Sequence, residues 1–254
     1  MVGLLFPGEM GALVGAAVDG DVLWASEGRS EATRRRAEAF RDVGTVRELV
    51  AASEIVISLC PPAIAEEVAG EVAGEGFDGI YVEANAITPE RVRRIAGYLR
   101  CVDGSVISRS DVNLYLSGNS KDVATVASVF AGGDVKAIPL EGGVGAASAL
   151  KMAFGGWNKI GTALTAQAYA IARAYGVEDA LAAEGVDSDR FVLSARKAWR
   201  WAPEMEEVAV TAESLGLPGA MGRGAADLFR RWETRRDSEV TLEQLLDDLG
   251  SRDA

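Results

Sequence analysis

The chain contains no histidine. Histidine is the side chain whose ordinary pKa lies nearest neutrality, and it is the commonest metal ligand. Proton transfer near pH 7 therefore has to use a tuned Lys, Glu, Asp, Tyr or Cys, or a bound water. Cysteine is nearly as scarce: Cys60 and Cys101 are the two in 254 residues, with neither metal-type spacing nor a disulfide framework. Long apolar runs are also missing. The opening Met1-Val-Gly-Leu-Leu-Phe-Pro-Gly8 carries no basic leader segment, and Ile55–Ala65 is interrupted by Cys60-Pro61-Pro62, far below the ~20 residues that span a bilayer. A cytoplasmic protein is expected. Positive charge is in deficit, with a net charge of −12. That leaves no basic footprint for nucleic acid, although an anionic small ligand feels only its local field. Only five residues are lysine, against 21 arginines, so each lysine deserves a reason.

What is present is ordinary for a globular protein: 48% hydrophobic and 25% charged residues. The length suits one large domain or two unequal ones. Short β-rich runs alternate with helical patterns over the first ~140 residues, the pattern of a parallel α/β sheet. Strands are predicted at Val2–Phe6, Val22–Ala25, Glu54–Leu59, Gly79–Glu83, Val102–Ile107, Asn113–Ser117 and Val135–Leu140. Helices are predicted over Glu9–Val18, Ser30–Phe40, Thr45–Ala52, Ala63–Ala73, Pro89–Leu99 and Lys121–Phe130. From Ala146 to Tyr175 there is no proline and much alanine, which reads as one helix some 45 Å long. Everything beyond is helical, with breaks near Gly185 and Gly216-Leu-Pro218. The predicted division is an N-terminal Rossmann-type α/β domain over 1–142, then a long connecting helix and an all-α domain over 143–254.

Two segments carry chemistry. The first is the turn after the opening strand, Gly8-Glu9-Met10-Gly11. In a strand–turn–helix of this kind, backbone N–H groups at the helix start hold a pyrophosphate and glycine lets it approach. Gly8 and Gly11 stand at the second and third glycines of G-x-G-x-x-G, but Phe6 occupies the first. At the end of the second strand an arginine would pair with the 2′-phosphate of NADP, and a carboxylate with the 2′-hydroxyl of NAD. Arg29, Ser30 and Arg34 point to NADP, and Glu27 is the competing signal. Cys60 and Pro61 follow a strand end along the expected cofactor path. The second segment is Gly142-Gly-Val-Gly-Ala-Ala-Ser-Ala-Leu-Lys151, where a run of small residues ends in one long amine that can approach a ligand closely.

These segments, together with Tyr81-Val-Glu-Ala-Asn85-Ala-Ile-Thr-Pro89 and Val102-Asp-Gly-Ser105, resemble the β-hydroxyacid dehydrogenase family, which includes 3-hydroxyisobutyrate and 6-phosphogluconate dehydrogenases. The resemblance implies NAD(P)-dependent transfer of a hydride to or from a small hydroxy acid or carbonyl, and a homodimer formed through the helical domain. It places Lys151 on the family's catalytic lysine and Asn85 on the loop that contacts nicotinamide and substrate. There are departures. The family's substrate loop, commonly Asp-Ala-Pro-Val-Ser-Gly-Gly, is Asp103-Gly-Ser-Val-Ile-Ser-Arg109 here, leaving Ser105 and Ser108 as candidate substrate contacts. Gly155 stands where the family has an asparagine, and Asn158 and Lys159, two turns beyond Lys151, are candidates to hold a more distant substrate group, with a solvent-facing Lys159 as the alternative. Two other readings share the architecture: an imine reductase, and a non-catalytic NADP-binding protein. Trp199, Trp201 and Trp232 are expected in the core of the helical domain, and core packing is also expected for Trp157. Glu204, Glu206 and Glu207 read as a solvated helix face.

Overall fold

The structure, a computed structural model, describes residues 1–108, 111–236 and 238–250. It divides into two compact units, Met1–Lys151 and Met152–Ala254.

The first unit is built on an eight-stranded sheet: β1 (Val2–Leu5), β2 (Val22–Trp24), β3 (Arg41–Asp42), β4 (Ile55–Ser58), β5 (Ile80–Glu83), β6 (Cys101–Ser108), β7 (Val112–Ser117) and β8 (Val135–Pro139). Their order across the sheet is β3-β2-β1-β4-β5-β6-β7-β8. All neighbours pair in parallel except β6 and β7. The first six strands thus follow the 3-2-1-4-5-6 order of a dinucleotide fold, whose ligands bind beyond the carboxyl ends of the strands. Central strands such as β1 and β4 are buried at every residue, as a sheet covered on both faces requires. One face packs Leu4, Ile57, Val82, Val102 and Leu114 into a first core, and the other packs Leu5, Val56, Tyr81, Ile87 and Ile95 into a second.

Helices α1 (Glu9–Ala16), α2 (Glu31–Arg36), α3 (Val46–Ala52), α4 (Ala65–Gly74), α5 (Pro89–Ile95) and α6 (Ser120–Ser128) connect these strands. Their starts are written locally. Thr45 and Glu48 form a capping box on α3, Thr88 caps α5 with Pro89 in its first turn, and Asn119 caps α6. Some boundaries differ from the prediction, and α5 stops at Ile95 rather than Leu99. α2 ends at Arg36 rather than reaching Phe40, because none of its residues is buried and no apolar face extends it. β3 is too short and too polar to show as a pattern, and it exists by pairing Arg41 and Asp42 with Leu23 and Trp24.

α7 runs from Ala146 to Tyr175, 30 residues. It starts after Gly142 and Gly145, whose φ values of 124° and 104° suit glycine. The second unit continues with α8 (Glu178–Ala183), α9 (Asp189–Ala195), α10 (Ala198–Ser214), α11 (Ala220–Arg230) and α12 (Leu242–Gly250). No strand follows β8 among the described residues. The core of this unit gathers Tyr169, Phe191, Met205, Phe229, Trp232 and Leu245. Trp232 is fully buried and donates its indole N–H to the Leu245 carbonyl at 3.1 Å. Trp201 packs edge-on against Phe229, while Trp199 lies outside the core under the Arg236 guanidinium. No helix among the described residues is long and apolar enough to cross a membrane.

Candidate functional site

The turn after β1 carries Phe6 where the glycine pattern has its first glycine. Phe6 takes φ +59°, the one positive value outside glycine among the described residues. A side chain there costs about 1–2 kcal/mol. Gly11 is obligatory, since a Cβ would sit 2.6 Å from the Phe6 carbonyl oxygen. At Gly8 the nearest atom to an added Cβ is 4.0 Å away, and this residue starts α1 with no side chain capping it. A helix N-terminus that is open and uncapped suits an anion. Glu9 and Met10, in the first turn of α1, are exposed.

Arg29 lies beside this turn, its guanidinium 3.6 Å from the centre of the Phe6 ring. That contact offsets part of the strain at Phe6. Burial lowers the Arg29 pKa, opposed by Glu71 and Cys60. Ser30 caps α2, accepting from the Thr33 N–H at 3.3 Å. Arg34 donates to the Ser26 carbonyl at 2.8 Å, which fixes the loop. Glu27 is exposed, and its N–H donates to the Gly44 carbonyl at 2.9 Å.

A row of polar side chains crosses the sheet near its carboxyl ends. Ser58 on β4 is in register with Glu83 on β5, Glu83 with Asp103 on β6, and Asp103 with Ser117 on β7. All four are fully buried. Buried polar groups are tolerated when bonded, and most of this row is. Asn85 donates from its backbone N–H to Glu83 Oε1 at 3.0 Å, and from Nδ2 to the same oxygen and to Ser58 Oγ at 3.2 Å. Asn85 Oδ1 and Ser105 Oγ are buried with no hydrogen-bond partner among the described residues. Cys60, next to Ser58 Oγ at 3.7 Å, has its thiol pushed up to about 12 by burial and by Glu83. It is an inert packing group at neutral pH. Pro61 is exposed and opens a short 3-10 turn at Pro62–Ile64.

Asp103 does something the sequence did not announce. Its Oδ2 accepts from Ser117 Oγ at 3.1 Å, Gly145 N–H at 2.9 Å and Ser148 N–H at 3.0 Å, and its Oδ1 from Ser148 Oγ at 2.7 Å. A carboxylate at the start of a helix satisfies orphan N–H groups and complements the helix dipole. Asp103 therefore pins the first turn of α7 to β6. Burial still raises its pKa, against these hydrogen bonds. One turn further, Lys151 Nζ donates to the Val106 carbonyl at 2.7 Å and is partly buried. The amine thus turns back onto β6, at the residue following Ser105, whose buried hydroxyl has no hydrogen-bond partner among the described residues. Ser108 is exposed at the end of β6, and Arg109 lies outside the described residues.

Asn85 lies two residues past the end of β5, Ser105 on β6, and Lys151 in the second turn of the helix whose start β6 pins. Asn158 belongs to the second unit, half-buried, with its carbonyl accepting from Thr162 Oγ1 at 3.0 Å. Three expectations for this unit are corrected. Lys159 neither faces solvent nor stands ready for a ligand, because it pairs with Glu204 and both are about nine-tenths buried. Glu204 accordingly leaves the predicted solvated acidic face, and Glu206 is engaged by Arg223 and Arg230. The pair explains Gly155, where a Cβ would sit 2.7 Å from Glu204 Oε1. Trp157 is not core: it is 61% exposed, tilted against Phe154.

Comparison with known proteins fits this architecture. A family model described as a domain of unknown function (DUF1932) matches residues 172–232. No curated protein sequence matches the chain. Among solved structures, a Mycobacterium tuberculosis 3-hydroxyisobutyrate dehydrogenase with L-serine superposes with TM-score 0.73 at 13% identity, over 98% of this chain and 99% of that one. A 3-hydroxyisobutyrate dehydrogenase from Salmonella typhimurium gives TM-score 0.70 at 17% identity, covering 97% and 98%. A Streptomyces aurantiacus imine reductase gives 0.54 at 19%, covering 98% and 99%. The chain has the fold of the 3-hydroxyisobutyrate dehydrogenases: a Rossmann α/β sheet followed by helices, with the 30-residue α7 among them.

Proposed function

We propose that this protein is an NAD(P)-dependent oxidoreductase, favouring NADP, that acts on a small hydroxy acid or its carbonyl counterpart with Lys151 as proton donor and acceptor. The observation that carries the reading is the placement of Lys151. Its amine is partly buried and anchored at 2.7 Å on the Val106 carbonyl, at the carboxyl half of the sheet where ligands of this fold bind. The surroundings fit a dinucleotide: an open, uncapped helix start at Gly8, a Gly11 that admits no side chain, and buried acceptors at Asn85 Oδ1 and Ser105 Oγ.

When bound, a nicotinamide cofactor supplies or takes up the hydride. The chain's own residues do the rest. The start of α1 at Glu9, Met10 and Gly11 would hold the pyrophosphate, with Gly8, whose N–H closes the turn onto the Phe6 carbonyl at 2.7 Å, leaving room for its approach, and Arg29 with Ser30 would hold the 2′-phosphate. Asn85 orients the nicotinamide or substrate through Oδ1, and Ser105 offers a hydroxyl to the substrate, with Ser108 beyond it. Lys151 gives its proton to the substrate oxygen during reduction and recovers it during oxidation. Its positive charge stabilises the oxygen as negative charge builds there. Asp103 keeps α7, and with it Lys151, in register with β6.

A homodimer working in the cytoplasm completes the proposal. Leu164, Ile171 and Met221 stay 55–67% exposed on α7 and α11, an apolar surface for a second copy. The test is a paired assay with NADPH: short β-keto acids against cyclic imines, each also run with NADH. Turnover of keto acids with NADPH supports the reading. Imine turnover alone selects the reductase alternative, and binding without turnover of either class selects a non-catalytic NADP-binding protein.

A further inference from the structure

Glu83 is the polar group in the sheet's buried row whose role the mechanism leaves unused. It is completely inaccessible, and both donors of Asn85 converge on its Oε1. Its Oε2 lies 3.5 Å from the Tyr81 hydroxyl. The groups facing it are nearly all acidic or neutral. Tyr81 comes from β5, Ser58 and Cys60 from the end of β4, and Cys101 and Asp103 from β6. Tyr98 senses its charge more remotely. The cation on that side, Arg91 of α5, gives its guanidinium to Glu66 at 3.0 Å and to the Pro62 carbonyl at 2.9 Å. Two carboxyls on adjacent strands cannot both ionise cheaply in a dry interior. Asp103 holds four donors and the start of α7, so the charge belongs there. Glu83 has only Asn85 and Tyr81, and burial pushes its pKa up to about 8. At neutral pH it is therefore largely protonated.

The consequence lies in Asn85. With both its donors committed to Glu83 and Ser58, its side chain is fixed in one orientation, and Oδ1 is left as a buried acceptor without a partner among the described residues. On the reading above, that acceptor meets the nicotinamide end of the cofactor. The reduced ring is neutral and the oxidised ring carries a positive charge, while the rest of the dinucleotide is identical. A nearby group that gains a negative charge with pH acts on that difference alone.

We propose that Glu83 is a positioning residue that sets the site's preference between oxidised and reduced dinucleotide, by fixing Asn85 and by placing a proton-dependent charge behind the nicotinamide ring. Protonated, it favours neither ring. Ionised, it favours the cationic, oxidised one.

The proposal rests on the nicotinamide reading, and one set of titrations separates the two. Dissociation constants for NADPH and NADP are measured from pH 6.5 to 9.5 on the full-length protein and on Glu83→Gln. The expected result is a wild-type ratio that shifts toward NADP by roughly ten-fold through pH 8, the scale of a unit charge pair in a protein interior. In Glu83→Gln the ratio stays flat. A flat wild-type ratio overturns the proposal while leaving the dinucleotide site intact, as does a Glu83→Gln ratio with the wild-type slope. Should neither dinucleotide, nor NADH or NAD, bind at any pH, the nicotinamide reading falls and this proposal with it. If Glu83→Gln does not fold, the wild-type ratio still decides.

Discussion

At the scale of single residues, the site is defined by three side chains in unusual circumstances. Phe6 holds a positive φ, Asp103 is a buried carboxylate serving as a helix cap, and Glu83 is a buried carboxyl without a cation. The glycine spacing and Lys151 could be singled out from the sequence, because a glycine turn after a strand and a lone amine after small residues have local signatures. Asp103 and Glu83 were not, since their partners Ser148, Ser117 and Asn85 are assigned by strand register. The signal available for Glu83 was a carboxyl ending the buried run Ile80-Tyr-Val-Glu83. Its raised pKa has a sign that can be tested. The unfolded chain releases this proton near pH 4.3, whereas the folded protein keeps it until about 8. The stability Glu83 contributes is therefore complete below pH 4.3 and is lost progressively up to about 8, then changes no further. Glu83→Gln should match wild type near pH 5 and exceed it by on the order of 3 kcal/mol at pH 8. Urea unfolding at the two pH values measures this, and a difference that does not grow with pH contradicts the assignment.

At the scale of elements, α7 is the part that the sequence specified best. Glycines with positive φ precede it, and no proline interrupts Ala146–Tyr175. What attaches it was hidden. Asp103 binds Gly145, Ser148 and Ser117 at once, so Asp103→Ala leaves two backbone N–H groups and two hydroxyls without their acceptor. The expected loss is about 3 kcal/mol or more. If Asp103 positions Lys151, the turnover number should fall in Asp103→Asn even at temperatures where that variant remains folded. Calorimetry paired with kinetics checks both parts, and a stable variant with unchanged turnover would remove Asp103 from the account. Short elements were poorly legible for the opposite reason: β3 and the end of α2 carry no buried apolar pattern of their own.

At the scale of the whole molecule, alternation of strands and helices was enough to name the architecture, and superposition on dehydrogenases at 13–17% identity agrees. Core pattern and turn chemistry survive where identities do not. The helical unit was less legible, because helices alone do not reveal which charges become buried. Lys159 and Glu204 form an ion pair inside it, with the Lys159 amine 5.5 Å from the centre of the Trp201 ring. Removing one member strands the other, at a cost of roughly 3–5 kcal/mol. Glu204→Leu should melt well below wild type, and replacing Lys159 by methionine as well should recover part of the loss. An unchanged melting temperature in Glu204→Leu would show the pair to be unimportant. The central claim concerns Lys151, and its most direct measurement is single-turnover reduction by Lys151→Met alongside NADPH affinity. Hydride transfer should drop at least a hundred-fold while NADPH binds within a few-fold of wild type. Transfer at near wild-type rate would contradict it.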